Sequence, residues 1–136
     1  MTTALQFATA VIYTDDVATT VAFYERATGL TPSSYDRELG FAQLGPERAV
    51  AVASHAAGAL MLEAAYAQAQ HGRVRGVELA FWADDVPAAF DAAVAAGAVA
   101  LTPPRVMPWG QTVAYVEAPE GTILGFITRV PPPGAD

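Results

Sequence analysis

The chain has 136 residues, 53% of them hydrophobic and 15% charged, which suits one domain with a sizeable core. It contains no cysteine, and this excludes disulfides, thiolate catalysis and zinc–thiolate sites. Only 7 Lys and Arg residues stand against 14 Asp and Glu residues, giving a net charge of −7. Because phosphate binding needs clustered basic residues, we expect no nucleic-acid partner.

The N-terminal sequence and the hydropathy pattern predict a protein without a membrane segment. Residues 1–6 lack the basic stretch followed by an apolar stretch that is typical of signal peptides. Uninterrupted apolar runs of about 18 residues, the length needed to cross a bilayer, are absent. We therefore expect a cytoplasmic protein with no membrane partner.

The first half of the chain has the pattern of a strand, a helix and two further strands. Residues 7–13 are rich in β-favouring side chains and predict a strand. Residues 17–27 have apolar spacing typical of a helix, and Asp16 before them is a favourable N-cap residue. Residues 40–44 and 49–54 predict two strands around a Gly-Pro turn.

The second half of the chain repeats this order. Residues 77–82 predict a strand, and Asp85 precedes a helix predicted over residues 86–96. Residues 111–117 and 122–128 then predict a hairpin around a Pro-Glu-Gly turn. The chain is therefore an internal duplication.

The duplication predicts one α+β domain over residues 1–136. Its first module covers about residues 5–54, a glycine-containing hinge covers residues 55–76, and the second module covers residues 77–130. Each module contributes a helix and several strands.

Three short segments in this order resemble the vicinal oxygen chelate superfamily, also called glyoxalase/bleomycin resistance/dioxygenase. They are residues 14–17 (Thr-Asp-Asp-Val), residues 84–86 (Asp-Asp-Val) and residues 115–121 (Tyr-Val-Glu-Ala-Pro-Glu-Gly). The resemblance extends over roughly residues 5–130. It implies two tandem βαβββ modules whose curved mixed sheets surround a concave pocket, with the helices on the convex face, and usually a homodimer.

The resemblance also implies where metal-dependent members of the superfamily would bind an ion. The positions lie on the first and last strand of each module, and in this sequence they are Thr9, Ala51, Glu78 and Gly125. One carboxylate and one hydroxyl are too few donors for a metal of this type. His55 and His71 lie elsewhere in the sequence. We therefore expect no metal and no other cofactor, as in the bleomycin-resistance-like, metal-free type.

Strand alternation places mostly small side chains on the face that carries these four positions. Protein interiors seldom contain large voids, so a ligand, a partner or hinge side chains should fill the space over this face. Trp109, between Pro108 and Gly110, suits the mouth of a ligand site. The candidate ligand-binding residues are Tyr13, Ala51, Ala53, His55, Glu78, Trp82, Met107, Trp109, Gln111 and Gly125.

Glu78 is the acidic side chain expected on this apolar face. A carboxylate there must be hydrated, protonated or paired, so it would anchor a cationic or hydrogen-bonding ligand, pair with Arg129, or reach solvent. Filling the face through Ala51→Leu or Gly125→Leu is expected to abolish ligand binding and to leave the fold intact.

Three functions are compatible with the sequence. The first is a homodimeric, metal-free protein that sequesters an aromatic or cationic natural product or drug, as in antibiotic resistance. The second is a lyase, isomerase or dioxygenase that depends on a metal or uses Glu78 as a general base. The third is a module whose groove binds another protein or nothing. The absence of metal donors favours the first function.

Overall fold

The computed structural model describes residues 7–68 and 77–129. The part of the expected hinge at residues 69–76 therefore lies outside the described residues. The main elements in chain order are β1 (Ala10–Thr14), α1 (Val17–Thr28), β2 (Pro32–Asp36), β3 (Phe41–Leu44), β4 (Val50–Ser54), α2 (His55–Leu62), β5 (Glu78–Trp82), α3 (Val86–Ala95), β6 (Val99–Val106), β7 (Thr112–Glu117) and β8 (Ile123–Ile127).

The strands form two four-stranded sheets with the same topology. One sheet has the order β1-β4-β3-β2 and the other has the order β5-β8-β7-β6. In each module the first strand in chain order pairs in parallel with the last strand, and the remaining pairs are antiparallel. The predicted α+β fold of two βαβββ modules is thus confirmed.

The chain divides into two compact units. One contains residues 1–25 and 29–68, and the other contains residues 26–28 and 69–136. The first sheet belongs to the first unit and the second sheet to the second unit. The single-domain assignment with its module and hinge boundaries stays a prediction.

Matching aspartates begin the first helix of each module, as the sequence predicts. The Asp16 carboxylate accepts a hydrogen bond of 3.0 Å from the Thr19 backbone N–H, and the Asp85 carboxylate accepts one of 3.0 Å from Ala88. A capping side chain satisfies a backbone donor that has no partner within the helix. The two helices therefore begin at the predicted residues for the same physical reason.

One face of each sheet supplies the apolar core of its own unit. In the first sheet Ile12, Val50 and Val52 are buried, and in the second sheet Leu124 and Phe126 are buried. Helix α3 packs against β6, β7 and β8. The α1 residues Val17, Thr20, Val21, Phe23, Tyr24 and Ala27 are buried and follow the spacing of an amphipathic helix.

Three elements differ from the sequence pattern. The sequence pattern does not identify strands β2 and β6, although a βαβββ module contains a strand at each of these places. Both lie at sheet edges, where the polar β2 and the two prolines of β6 are tolerated. Helix α2 occupies part of the expected hinge and belongs to the first unit.

None of the helices among the described residues has the length and hydropathy needed to cross a membrane.

Candidate ligand-binding site

Strand β4 contributes two of the predicted site residues, Ala51 and Ala53. The register places Ala51 between Val11 and Gln43, and Ala53 between Tyr13 and Phe41. Both alanines are fully buried, although they lie on the face opposite the helix-packing residues. Because leucine at a fully buried position overpacks its surroundings, Ala51→Leu should destabilise the fold as well. This corrects the expectation that the variant leaves the fold intact.

Helix α2 begins directly at the end of β4 and packs against β1 and β4. Ser54 ends the strand and also caps the helix, since its side chain accepts a hydrogen bond of 3.0 Å from the Ala57 backbone N–H. His55 follows as the first residue of α2.

Three polar aromatic side chains come together beside α2. The His55 Nδ1 atom and the Tyr66 hydroxyl form a hydrogen bond, and the rings of Tyr13 and Tyr66 meet edge to face with centroids 5.4 Å apart. A Cβ added at Gly58 would lie 2.6 Å from Tyr66 Cε2 and 3.0 Å from Tyr13 Cδ1. Only glycine at this position therefore allows both rings to approach the helix so closely.

Tyr66 is a site residue that the sequence reasoning missed. Burial raises the pKa of its phenol, and the neighbouring Tyr13 raises it further. Tyr66 is therefore a neutral phenol at neutral pH. No local pattern in the sequence identifies this residue, because its contact with His55 depends on the turn at Glu63 and on the space at Gly58.

An apolar pocket of about 200 Å³ lies between β3 and α2 in the first unit. Phe41, which pairs with Ala53, forms part of its wall. The alanine Ala57 lies one residue before Gly58, so the pocket and the tyrosine cluster both adjoin the first turns of α2. The lining residues are Leu39, Phe41, Ala57, Leu60 and Met61.

In the second unit, Gly125 lies beneath two longer side chains. A Cβ added to Gly125 would overlap Glu78 Oε2 and would lie 3.0 Å from Tyr115 Cε1. Gly125→Leu would therefore displace Glu78 or Tyr115, and this corrects the expectation that the substitution merely fills an open space. Tyr115 is a second residue on this face that the sequence reasoning missed.

Glu78 itself is exposed to solvent on strand β5. Arg129, its expected partner, instead places its guanidinium carbon 5.2 Å from the centroid of the Trp82 ring. Of the three expected environments for Glu78, contact with solvent is therefore the one observed.

Both tryptophans are exposed, Trp82 at 57% and Trp109 at 62%. Trp109 Nε1 donates a hydrogen bond of 2.8 Å to the Gln111 side chain, which in turn donates one of 2.7 Å to the Thr128 carbonyl oxygen. Met107 begins the same turn, and its backbone N–H donates to the Gln111 carbonyl oxygen. The loop thus holds Met107, Trp109 and Gln111 together at the end of the β6–β7 hairpin.

The predicted site residues accordingly form separate groups. Tyr13, Ala51, Ala53 and His55 belong to the first unit, whereas the other six belong to the second. Within the second unit, Glu78 and Trp82 share a sheet face with Gly125. Met107, Trp109 and Gln111 lie in the loop between β6 and β7.

The residues at the implied metal positions do not fit a metal ion. The Thr9 hydroxyl donates to the Ala49 carbonyl oxygen at 3.3 Å, and Ala51 and Gly125 carry no donor atom. Within residues 7–68 and 77–129, three or more His, Asp or Glu side chains do not come together in a metal-binding group. Divalent ions of this family's type need several such ligands.

Two βαβββ modules with the same strand order define an α+β protein of the glyoxalase type. The model of the Glyoxalase/Bleomycin resistance protein/Dioxygenase superfamily matches residues 6–126, so the chain belongs to this superfamily. No curated protein matches the chain.

Solved structures share the fold at low sequence identity. A glyoxalase-related enzyme from Fulvimarina pelagi is 22% identical, with a TM-score of 0.78 and coverage of 98% of this chain and 95% of that one. A family enzyme from Burkholderia phytofirmans PsJN is 22% identical (TM-score 0.76, coverage 89% and 96%). TioX from Micromonospora sp. ML1 is 21% identical (TM-score 0.65, coverage 90% and 98%). Because this fold hosts many activities, these likenesses establish architecture alone.

Proposed function

We infer that this protein binds a small aromatic molecule without the help of a metal ion, and that sequestering this molecule is its function. The observation that carries the proposal is the apolar pocket of about 200 Å³ beside β3 and α2. Apolar cavities of about 150 Å³ are large enough to hold benzene. The pocket therefore has room for a single ring, and the remainder of a larger ligand would lie outside it.

The donor set supports binding over metal chemistry. A metal-dependent reaction would need several oxygen or nitrogen ligands, but two of the four implied positions are alanine and glycine. The residues of the pocket wall are likewise apolar and offer no side-chain nucleophile or general base. A protein with these features is suited to holding a ligand unchanged.

The second unit has an exposed aromatic face of its own. The Trp82 ring is exposed, and the guanidinium of Arg129 lies near this ring. Cation–π contacts of this kind contribute about 0.5–1 kcal/mol at exposed sites. An external cation at Trp82 would have to displace Arg129, so the proposal does not assign a cationic group to the ligand.

Methionine methyl NMR tests the proposed pocket directly. Met61 is part of the pocket wall, whereas Met107 lies in the β6–β7 loop and serves as an internal control. Toluene at millimolar concentration should shift the Met61 methyl signal in a saturable manner and leave Met107 unchanged. A toluene titration that leaves Met61 unshifted would contradict the proposal.

Two alanine variants on α2 form a matched pair for this test. Ala57 is buried in the pocket wall, whereas its neighbour Ala56 is exposed. Ala57→Leu should fill the pocket and abolish the toluene-dependent shift, whereas Ala56→Leu should retain it. Equal binding by the two variants would show that toluene binds elsewhere and would reject the pocket.

We also propose that the protein forms a homodimer. Outside the pocket wall, exposed apolar side chains lie on α2 (Leu62) and on the edge strand β6 (Val99 and Val106). Exposed apolar side chains and open sheet edges favour association. Sedimentation equilibrium at micromolar concentration should give twice the chain mass of 14.2 kDa. A single species at the chain mass would refute the dimer.

A further inference from the structure

The cluster of Tyr13, His55 and Tyr66 has hydrogen-bonding capacity that its internal contacts do not use. A neutral imidazole carries one N–H group and a phenol carries one O–H group. The bond between His55 Nδ1 and the Tyr66 hydroxyl uses one of these two hydrogens. Either His55 Nε2–H or the Tyr66 O–H therefore remains available to donate to another molecule.

Tyr13 supplies a second donor. Its ring contacts Tyr66, yet within residues 7–68 and 77–129 its hydroxyl makes no hydrogen bond to the protein. All three side chains are half-buried, so they remain accessible from solvent. Burial raises the pKa of the Tyr66 phenol, which keeps this group protonated at neutral pH. The cluster thus presents hydrogen-bond donors.

The position of the cluster relates it to the apolar pocket within the first unit. Ala53 on β4 is flanked by Tyr13 on one side and by Phe41 of the pocket on the other. On α2, Ala57 adjoins the pocket, and the next residue, Gly58, adjoins the rings of Tyr13 and Tyr66. Donors and apolar pocket therefore flank the same end of the β4 strand.

We propose that Tyr13, His55 and Tyr66 form an oxygen-binding site that holds a carbonyl or carboxylate oxygen of the aromatic ligand. The proposal rests on the proposed function, because it assigns a polar group to the molecule that the apolar pocket would bind. It also defines the ligand more closely: the group bound here is a hydrogen-bond acceptor, because an ammonium group, which only donates, would leave the Tyr13 hydroxyl proton and the remaining proton of the His55–Tyr66 pair without a partner.

Three one-ring probes of similar size separate these chemistries. Benzoate carries an anionic acceptor, benzamide a neutral carbonyl acceptor and benzylamine a cation. The two histidines of the chain, His55 and His71, give a simple imidazole NMR spectrum. Benzoate and benzamide at millimolar concentration, the affinity range of such fragments, should shift the His55 signals. Benzylamine should leave them unchanged. A response to benzylamine alone, or to none of the probes, would overturn the proposal.

Removal of single hydroxyl groups tests the role of each tyrosine. Tyr66→Phe keeps the ring against Tyr13 but removes the bond to His55, and it should weaken benzoate binding about tenfold, which corresponds to about 1.4 kcal/mol. Tyr13→Phe should weaken binding several-fold without changing the His55–Tyr66 bond. The control Tyr35→Phe alters a β2 side chain whose ring contacts Arg37, so benzoate binding should not change.

Benzoate affinity that is the same in the wild type and in both cluster variants would reject the oxygen-binding site. If Tyr66→Phe fails to fold, Tyr13→Phe decides the question alone. The toluene experiment at Met61 separates this inference from the proposed function. A shift of Met61 by toluene without any His55 response would reject the oxygen-binding site alone, whereas a His55 response without a Met61 shift would reject the apolar pocket alone.

Discussion

The two modules have the same backbone plan but different chemistry on the sheet face away from the helix core. Both begin with a strand, an aspartate cap and a helix, and both pair their first and last strands in parallel. In the first module, α2 and the tyrosine cluster adjoin this face. In the second module, the side chains of Glu78 and Tyr115 lie over Gly125, and Trp82 is exposed.

This difference shows which features a repeated fold prescribes. Backbone hydrogen bonds and helix caps must be satisfied in each module, so the same residue types recur at the same places. The side chains on the sheet face away from the helix core do not have to satisfy such backbone groups. They are therefore where this protein has a donor cluster in one module and the exposed indole of Trp82 in the other.

The largest effect in this comparison is expected from adding one methyl group at Gly58 on α2, with the same change at Gly125 of the second sheet as its counterpart. Gly58→Ala should lower the free energy of unfolding by about 1–3 kcal/mol, because its Cβ meets the rings of two packed tyrosines. Gly125→Ala should cost less, since the flexible Glu78 carboxylate can move away. Chemical denaturation measures both variants. A larger loss of unfolding free energy in Gly125→Ala than in Gly58→Ala would contradict this order.

The helix caps should show that the two modules are equivalent at these positions. Asp85→Ala should destabilise the protein by about 1 kcal/mol, because Ala88 N–H loses its hydrogen-bond partner. Asp16→Ala should act in the same direction, because its carboxylate makes the same bond to Thr19. Thermal unfolding of each variant, with Asp→Asn at the same position as a control that retains a cap, tests this equivalence.

The cap of the first module should also make stability depend on pH. The backbone N–H of Thr19 lowers the pKa of Asp16 below its usual 3.8 in the folded protein. The stability that this hydrogen bond contributes is fully present at pH values above the pKa of Asp16 in the unfolded chain. It is lost as the pH falls through the lowered pKa of Asp16 in the folded protein. As the pH falls from neutral to strongly acidic, the unfolding midpoints of the wild type and of Asp16→Asn should therefore converge. A constant difference over this range would contradict the assignment.

The smallest effects on stability are expected at the exposed tryptophans. Trp109→Ala should change the free energy of unfolding by less than about 0.5 kcal/mol, since the side chain is 62% exposed. The same variant should leave the toluene-dependent shift of Met61 unchanged, because Trp109 is not among the residues that line the pocket. A strongly destabilised Trp109→Ala would instead make this residue part of the core.

The features that the sequence determined by itself are local. Asp16 and Asp85 identify the starts of their helices, because a cap bonds a backbone group only three residues away. The alternation of Val50, Ala51, Val52 and Ala53 identifies the two faces of β4, because successive strand side chains point in opposite directions. Once the resemblance supplies the four metal positions, the lack of donor atoms at Ala51 and Gly125 follows from residue identity.

The tertiary structure decided the features that depend on neighbours distant in the chain. Strands β2 and β6 have weak strand patterns and form because an adjacent strand supplies hydrogen bonds at each sheet edge. Tyr66 reaches His55, eleven residues away, because the chain turns at Glu63, where φ is 53°, and because Gly58 leaves room for the ring. Neither the turn nor the room follows from local periodicity, so the donor cluster emerges only when the chain is folded.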